Sequence, residues 1–197
     1  MPESPATPYI QKGKAAIEQN QFDYAIELLS HALTLQPDSA DTRHLLRVAM
    51  QRRLKLQPDS PTLHISQQLQ TILPAAQAVI AELRRDFLGA VQYYEQALRH
   101  NPTSILLLTK LARALIQLRF TAAAITTLEE VYELDRKNLF ALRHLGQLNV
   151  TADRYDQARR YFEEALKLAP HDLEIERHLK NLDALGTIRQ TFKPTSQ

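Results

Sequence analysis

The residues able to do chemistry are few in kind and scattered in position. Seven histidines stand at 31, 44, 64, 100, 144, 171 and 178, and none forms the helical i, i+4 pair that would hold a metal. A solvated or partly packed structural histidine is the default for each. Paired carboxylates occur at Glu129-Glu130 and Glu163-Glu164, where helical geometry turns one member outward and a solvated face outweighs an acid/base pair. The chain has no Cys, which removes thiolate nucleophiles, disulfides and thiolate metal sites together. Four scattered glycines cannot build a phosphate-cradling loop, and Walker, dinucleotide, nucleophile-elbow, HExxH and EF-hand motifs are all missing. No enzymatic activity, cofactor or metal is expected.

What does recur is cationic. Arg143-His144-Leu145 and Arg177-His178-Leu179 lie 34 residues apart, and Arg43-His44-Leu45 is a third copy, one residue out of phase. At one register on neighbouring helices the two Arg-His pairs stack into a ladder. With Lys110 and Arg113 they form a surface suited to a carboxylate or an acidic segment. Arg and His on an exposed helix face can equally be no more than solubilising residues.

The elements that would position such a ladder are helices. A length of 197 residues suits one domain or one continuous array. With 44% hydrophobic and 23% charged residues the chain is of ordinary globular composition, so wholesale disorder and fibrous architectures are excluded. The scarcity of glycine favours helices over turn-rich sheet, and no apolar run reaches the roughly 18 residues of a membrane span. Lys and Arg number 24 against 22 Asp and Glu, a net charge of +2, too small for the footprint of a nucleic-acid binder. The opening MPESPATPYIQ has neither the basic cluster nor the apolar core of a secretory signal. A cytoplasmic protein is the expectation.

Four segments share one skeleton: FDYAIELLSHALTLQP, FLGAVQYYEQALRHNP, FTAAAITTLEEVYELDR and YDQARRYFEEALKLAP. Their alanines, Ala25, Ala90, Ala124 and Ala158, are spaced by 65, 34 and 34 residues, so the first gap holds one irregular unit beside a regular one. Twelve residues upstream of each stands a small residue: Gly13, Ala78, Ala112 and Gly146. Each unit is therefore a helical hairpin, and Gly13/Ala25 and Gly146/Ala158 are expected close-approach pairs.

This skeleton resembles the tetratricopeptide repeat over about residues 6–185. The match is fullest at 139–172, with Leu145-Gly146, Tyr155, Ala158, Phe162, Ala165-Leu166 and Pro170. Repeats at 6–39 and 71–104 keep Phe22, Ala25, Ala32-Leu33, Pro37 and Phe87, Ala90, Tyr94, Ala97-Leu98, Pro102. The repeat at 105–138 departs, with Val131 for Ala and Arg136 for Pro, which predicts a looser turn. The resemblance implies an all-α, right-handed superhelical solenoid of antiparallel hairpins, stable only as a stack.

Residues 40–70 read as a degenerate hairpin with a shortened second helix starting at Ser60-Pro61. Pro74 predicts the start of a short first helix in the next repeat. Either this is a tolerated deletion or it bends the array and shapes a binding site. Residues 173–185 read as a capping helix ended by Gly186. Residues 1–5 and 186–197 are expected to be flexible.

The resemblance also implies a concave groove, lined by first helices, that receives an extended or helical peptide. Its expected lining is Lys110, Arg113, Arg143, His144, Gln147, Arg177 and His178. The N-terminal part is more apolar, through Ile10, Ile17, Ile72 and Val79. The family's clamp for acidic EEVD tails is not reproduced: Ile10 and Lys14 hold the first-repeat positions and helix 40–55 contains no Asn. The last three first helices offer Thr109 and Arg113, His144, then Glu174 and His178. The expected function is thus a non-enzymatic interaction scaffold for an extended or acidic peptide of a partner protein, with no nucleic acid. The alternative is an assembly protein that self-associates through its repeat surfaces into a homo-oligomer.

Overall fold

The structure is a computed structural model that describes residues 4–56 and 61–191, with side chains over 4–56 and 70–184. Regular structure among the described residues is all helical. In order come α1 (Thr7–Glu18), α2 (Phe22–Leu35), α3 (Ala40–Leu56), α4 (Pro61–Leu83) and α5 (Phe87–Leu98). They are followed by α6 (Ile105–Gln117), α7 (Thr121–Leu134), α8 (Leu139–Thr151), α9 (Tyr155–Leu168) and α10 (Leu173–Thr191). The all-α hairpin class expected from the repeats is the class observed.

Four tight turns of one geometry fold the hairpins. Asn20, Arg85, Arg119 and Asp153 all adopt positive φ, between 56° and 60°, and occupy one repeat register. The amide of the next residue reaches back five residues each time, as in Gln21 N to Ala16 O at 2.9 Å and Arg154 N to Asn149 O at 2.8 Å. The preceding helix's last carbonyls are thereby satisfied, the closure that glycine usually provides. Helix starts repeat as well. Ser104, Asn138 and Asp172, again 34 apart, accept from Leu107 N, Ala141 N and Glu174 N at 3.4, 3.0 and 3.0 Å. The turn expected to be loose at Arg136 is instead ordered by Asp135, whose Oδ1 accepts from Lys137 N at 3.0 Å.

The chain divides into two compact units, residues 1–130 and 131–197. In the first, α1 and α2 form a hairpin on which α3 packs, and α4 and α5 form a hairpin on which α6 packs. Ile17, Phe22, Ile26, Leu29, Leu46 and Met50 fill the first of these cores. In the second unit α8 and α9 pair and α10 packs on α9, around Leu142, Phe162, Ile175 and Leu182. Residues that no single hairpin buries are thus buried by the next first helix.

Three expectations change. The start expected at Pro61 is where α4 begins, but no second start occurs at Pro74, which lies inside one continuous helix. The shortened second helix and the following first helix are therefore a single element, so among the described residues no separate second helix follows α3. Gly13 and Gly146 do mark close approaches, but a Cβ there would meet Leu29 at 2.8 Å and the Phe162 ring at 2.5 Å, one helical turn beyond Ala25 and Ala158. And α10 runs through Gly186 to Thr191: one glycine costs a helix only about 1 kcal/mol. The N-terminal segment is tied down at Ser4, whose Oγ donates to Gln36 Oε1 at 3.2 Å. The expectations for residues 1–3 and 192–197 lie outside the described residues.

Two stability outcomes follow by chemical denaturation. Gly146→Ala drives a methyl into a flat ring and should cost about 1–3 kcal/mol, whereas Gly13→Ala meets a Leu that can rotate and should cost less. Arg119→Gly should stabilise by roughly 0.5–1 kcal/mol by removing a side chain from a left-handed position, and Arg119→Val should destabilise.

Candidate functional site

In the second unit most of the residues expected to form the ladder are engaged by other groups of their own chain. Arg143, on α8, pairs through its guanidinium with Asp172. The same carboxylate, through Oδ1, caps α10 by accepting from Glu174 N at 3.0 Å and Ile175 N at 3.3 Å. Arg143 thus ties α8 to the start of α10, and an acidic group of the chain itself occupies the seat expected for a ligand. His144 lies with its ring 4.0 Å from that of Phe140 and its Nδ1 2.9 Å from Phe140 O. Gln147 is half-buried one turn on. His178 stacks on Phe162 at 4.9 Å, with an interplanar angle of 4°, and its Nε2 is 3.9 Å from Glu174 Oε1. Arg177 is exposed. Phe162 stands at the centre, with Gly146 against its edge and His178 on its face.

In the first unit Lys110 Nζ lies 3.8 Å from Glu82 Oε2. Arg113 is exposed and lines a hollow of about 500 Å³ with Glu82, Arg85, Phe87 and Gln117. Under it, burial and the nearby Glu82 carboxylate push the Tyr94 phenol above its ordinary pKa, so it stays a neutral hydroxyl at all working pH.

The third triplet does not join the ladder. Arg43 is one residue out of phase, and 100° of helical rotation turns it inward, where it is 1% exposed. Its Nε donates to Glu95 Oε1 at 2.8 Å and its Nη2 to Pro37 O at 2.9 Å. One turn on, Arg47, also 1% exposed, donates to Glu95 Oε2 at 3.2 Å and Glu130 Oε2 at 2.9 Å. Burial opposes the charge of Arg47, but Glu95 and Glu130 outweigh it and hold its pKa above the ordinary value. Burial pushes Glu130 up against the pull of Arg47. The sequence did carry a signal for this cluster: Arg47 stands 34 residues after Gly13, at the register where α1, α4, α6 and α8 have Gly or Ala.

Beside the cluster opens a cleft of about 550 Å³ between α2, α3 and α5, lined by Glu27, His31, Arg43, Pro74, Glu95 and His100 among others. Burial, with Arg53 and Arg99 nearby, holds His100 below the ordinary histidine pKa. No group of three metal-ligating side chains occurs among the described residues. No helix among them is long and apolar enough to cross a membrane.

Helical hairpins closed by left-handed turns, with small residues at the inner approach and outward polar first helices, define a repeat module. The chain belongs to the tetratricopeptide repeat family: family models match residues 6–39, 81–145 and 139–172, together more than half of the chain. Curated protein sequences give no significant match. Among solved structures the chain is similar to the first TPR of Spaghetti (RPAP3) bound to the HSP90 peptide SRMEEVD, with 18% identity, a TM-score of 0.55 and coverage of 60% of this chain and 94% of that one. It is also similar to the Arabidopsis OM64 TPR domain, with 21% identity, a TM-score of 0.54 and coverage of 60% and 98%. The second TPR domain of human RPAP3, in complex with the HSP70 peptide SGPTIEEVD, gives 17%, 0.54, and coverage of 59% and 98%. Identities at this level show a shared fold.

Two measurements test the buried charges. Glu95→Ala leaves Arg43 with no carboxylate and Arg47 with Glu130 alone and should cost about 3–5 kcal/mol, whereas replacing Arg43, Arg47, Glu95 and Glu130 together by Met and Leu should be close to neutral or stabilising. His100, kept neutral by the fold, supports stability fully above the ordinary histidine pKa of about 6.5, and that support is lost as pH falls below it. His100→Gln should therefore lessen the drop in Tm between about pH 7 and pH 5.

Proposed function

We propose that the chain is a non-enzymatic protein-interaction module that receives an extended or acidic peptide segment of a partner on its first helices. The observation that carries this reading is the cationic register of those helices. Positions 34 apart hold Lys110 on α6, Arg143-His144 on α8 and Arg177-His178 on α10, within a family whose similar structures include two with acidic peptides bound. The clamp residues for an EEVD tail are not matched, so the ligand proposed is an acidic or extended segment in general.

Roles within the second unit differ. Arg177 is the exposed cation available for first encounter. Arg143 is held in place by Asp172, and a ligand carboxylate would share or displace that partner, forming a charge-assisted pair in its stead. His144 and Gln147 add polar contacts from the same helix.

The test is binding of a fluorescent acidic peptide at low salt to the full chain. Arg143→Glu with Arg177→Glu should weaken binding at least about tenfold, the loss of one charge-assisted contact or more. Asp172→Asn, which keeps a capping oxygen but removes the competing charge, should strengthen it several-fold. Affinity indifferent to both changes would remove this face as the site.

A further inference from the structure

The fusion of two expected helices into the continuous α4 has a consequence for the exposed face of that helix. On two other first helices the paired positions seven residues apart are buried: Leu107 and Ala114 on α6 are 7% and 0% exposed, and Ile175 and Leu182 on α10 are 1% and 4% exposed. α6 packs on α5 and α10 on α9. The same register on α4 holds Leu73 and Ile80, which are 66% and 48% exposed. Residues built for a stacking interface face water.

The surrounding positions reinforce this. Where α6 and α8 present Arg113, Gln117, Gln147 and Thr151 outward, α4 presents Val79 and Leu83, both exposed. The first described hairpin shows how an exposed face of this register is dressed elsewhere: Pro8, Lys14, Ala15 and Glu18 stand at the registers of Leu73, Val79, Ile80 and Leu83, and all four are exposed. The face of α4 is not dressed in this way. A contiguous apolar stripe of this kind marks an interaction surface.

We propose that this stripe is a self-association seam, on which two copies of the chain pair antiparallel about a two-fold axis. Leu73, Ala76, Ile80 and Leu83 follow the alternating spacing of four and three residues of a coiled-coil seam. Antiparallel pairing sets Leu73 opposite the second copy's Leu83 and the small Ala76 opposite its Ile80, so large side chains meet small ones or each other at the ends. The stripe is self-complementary in charge too. From Thr71 to Leu83 its one charged residue is Glu82, neighboured by Lys110 of its own chain. Arg84 and Arg85 lie at one end only, so the antiparallel arrangement keeps the two pairs apart by roughly the stripe's length, about 17 Å. A parallel pair would place them together. Closed two-fold symmetry is also the commonest way for a chain to cover one of its own faces.

Sedimentation equilibrium of the full chain over about 1 to 300 μM should give a reversible monomer–dimer equilibrium based on the 22.5 kDa monomer, with a micromolar Kd. Leu73→Glu and Ile80→Glu, both at positions exposed in the monomer, should each weaken it at least about tenfold while leaving helicity and Tm unchanged. Leu106→Glu, at an exposed apolar position on α6, should leave it unaltered. Because the chain has no cysteine, Gln70→Cys and Arg84→Cys variants can be cross-linked cleanly: mixed together they should join, and neither should join to itself. A monomer throughout, as when a different protein covers this face, would overturn the proposal. So would a dimer indifferent to Leu73→Glu and Ile80→Glu, an equal effect of Leu106→Glu, or self-cross-linking of either cysteine variant.

Discussion

A first helix in this chain is stable only with second helices against it, because its apolar residues point to two sides. One side closes on the returning helix of its own hairpin, the other rests on the hairpin before. The close approach at Gly13 and Gly146, where no Cβ fits beside Leu29 or Phe162, satisfies the first demand. Buried pairs such as Leu107 and Ala114 satisfy the second. Left-handed turn residues and N-caps recur at the same spacing because each closes a hairpin at the length these contacts require.

Where the pattern fails, the chain meets the same two demands by other means. No separate second helix follows α3 among the described residues, and its inward register carries Arg43 and Arg47. Long guanidinium side chains span a gap that a methyl could not, and Glu95 of α5 and Glu130 of α7 neutralise them there. Such a cluster adds little net stability, since desolvation consumes most of the Coulombic gain, but it is intolerant of losing one member. It specifies which helices meet α3. The failed repeat is thus stitched into the first unit by charge where its neighbours are joined by shape.

Most of the fold was legible because it rests on periodicity. A 34-residue spacing of Ala, Gly and aromatic residues is visible without coordinates, and so were the hairpins it implies. Less legible were features that depend on what is missing. Pro74 reads as a helix start from local rules, yet α4 runs through it, because residues 61–73 are themselves helical and make Pro74 an interior position. The Arg-His triplets were found as a motif, but a motif does not reveal its phase. One residue of offset sends Arg43 into the core and leaves Arg177 in water. Nor does it reveal the company each side chain keeps: Arg143 is paired with Asp172 of its own chain.

That double use of Asp172 bears on how such a module can be tuned. Its carboxylate serves the α10 N-terminus, where backbone amides favour negative charge, and Arg143, where an acidic ligand would compete for it. Seating a ligand carboxylate on Arg143 therefore leaves the cap in place but takes away the cap's counter-charge, so recognition and the seating of α10 are coupled through one side chain. The coupling acts within the second unit alone. The apolar stripe of α4 belongs to the first. If the proposed seam on α4 and the proposed cationic face of α8 and α10 both hold, one chain carries two surfaces of different chemistry, one apolar and self-complementary, one cationic.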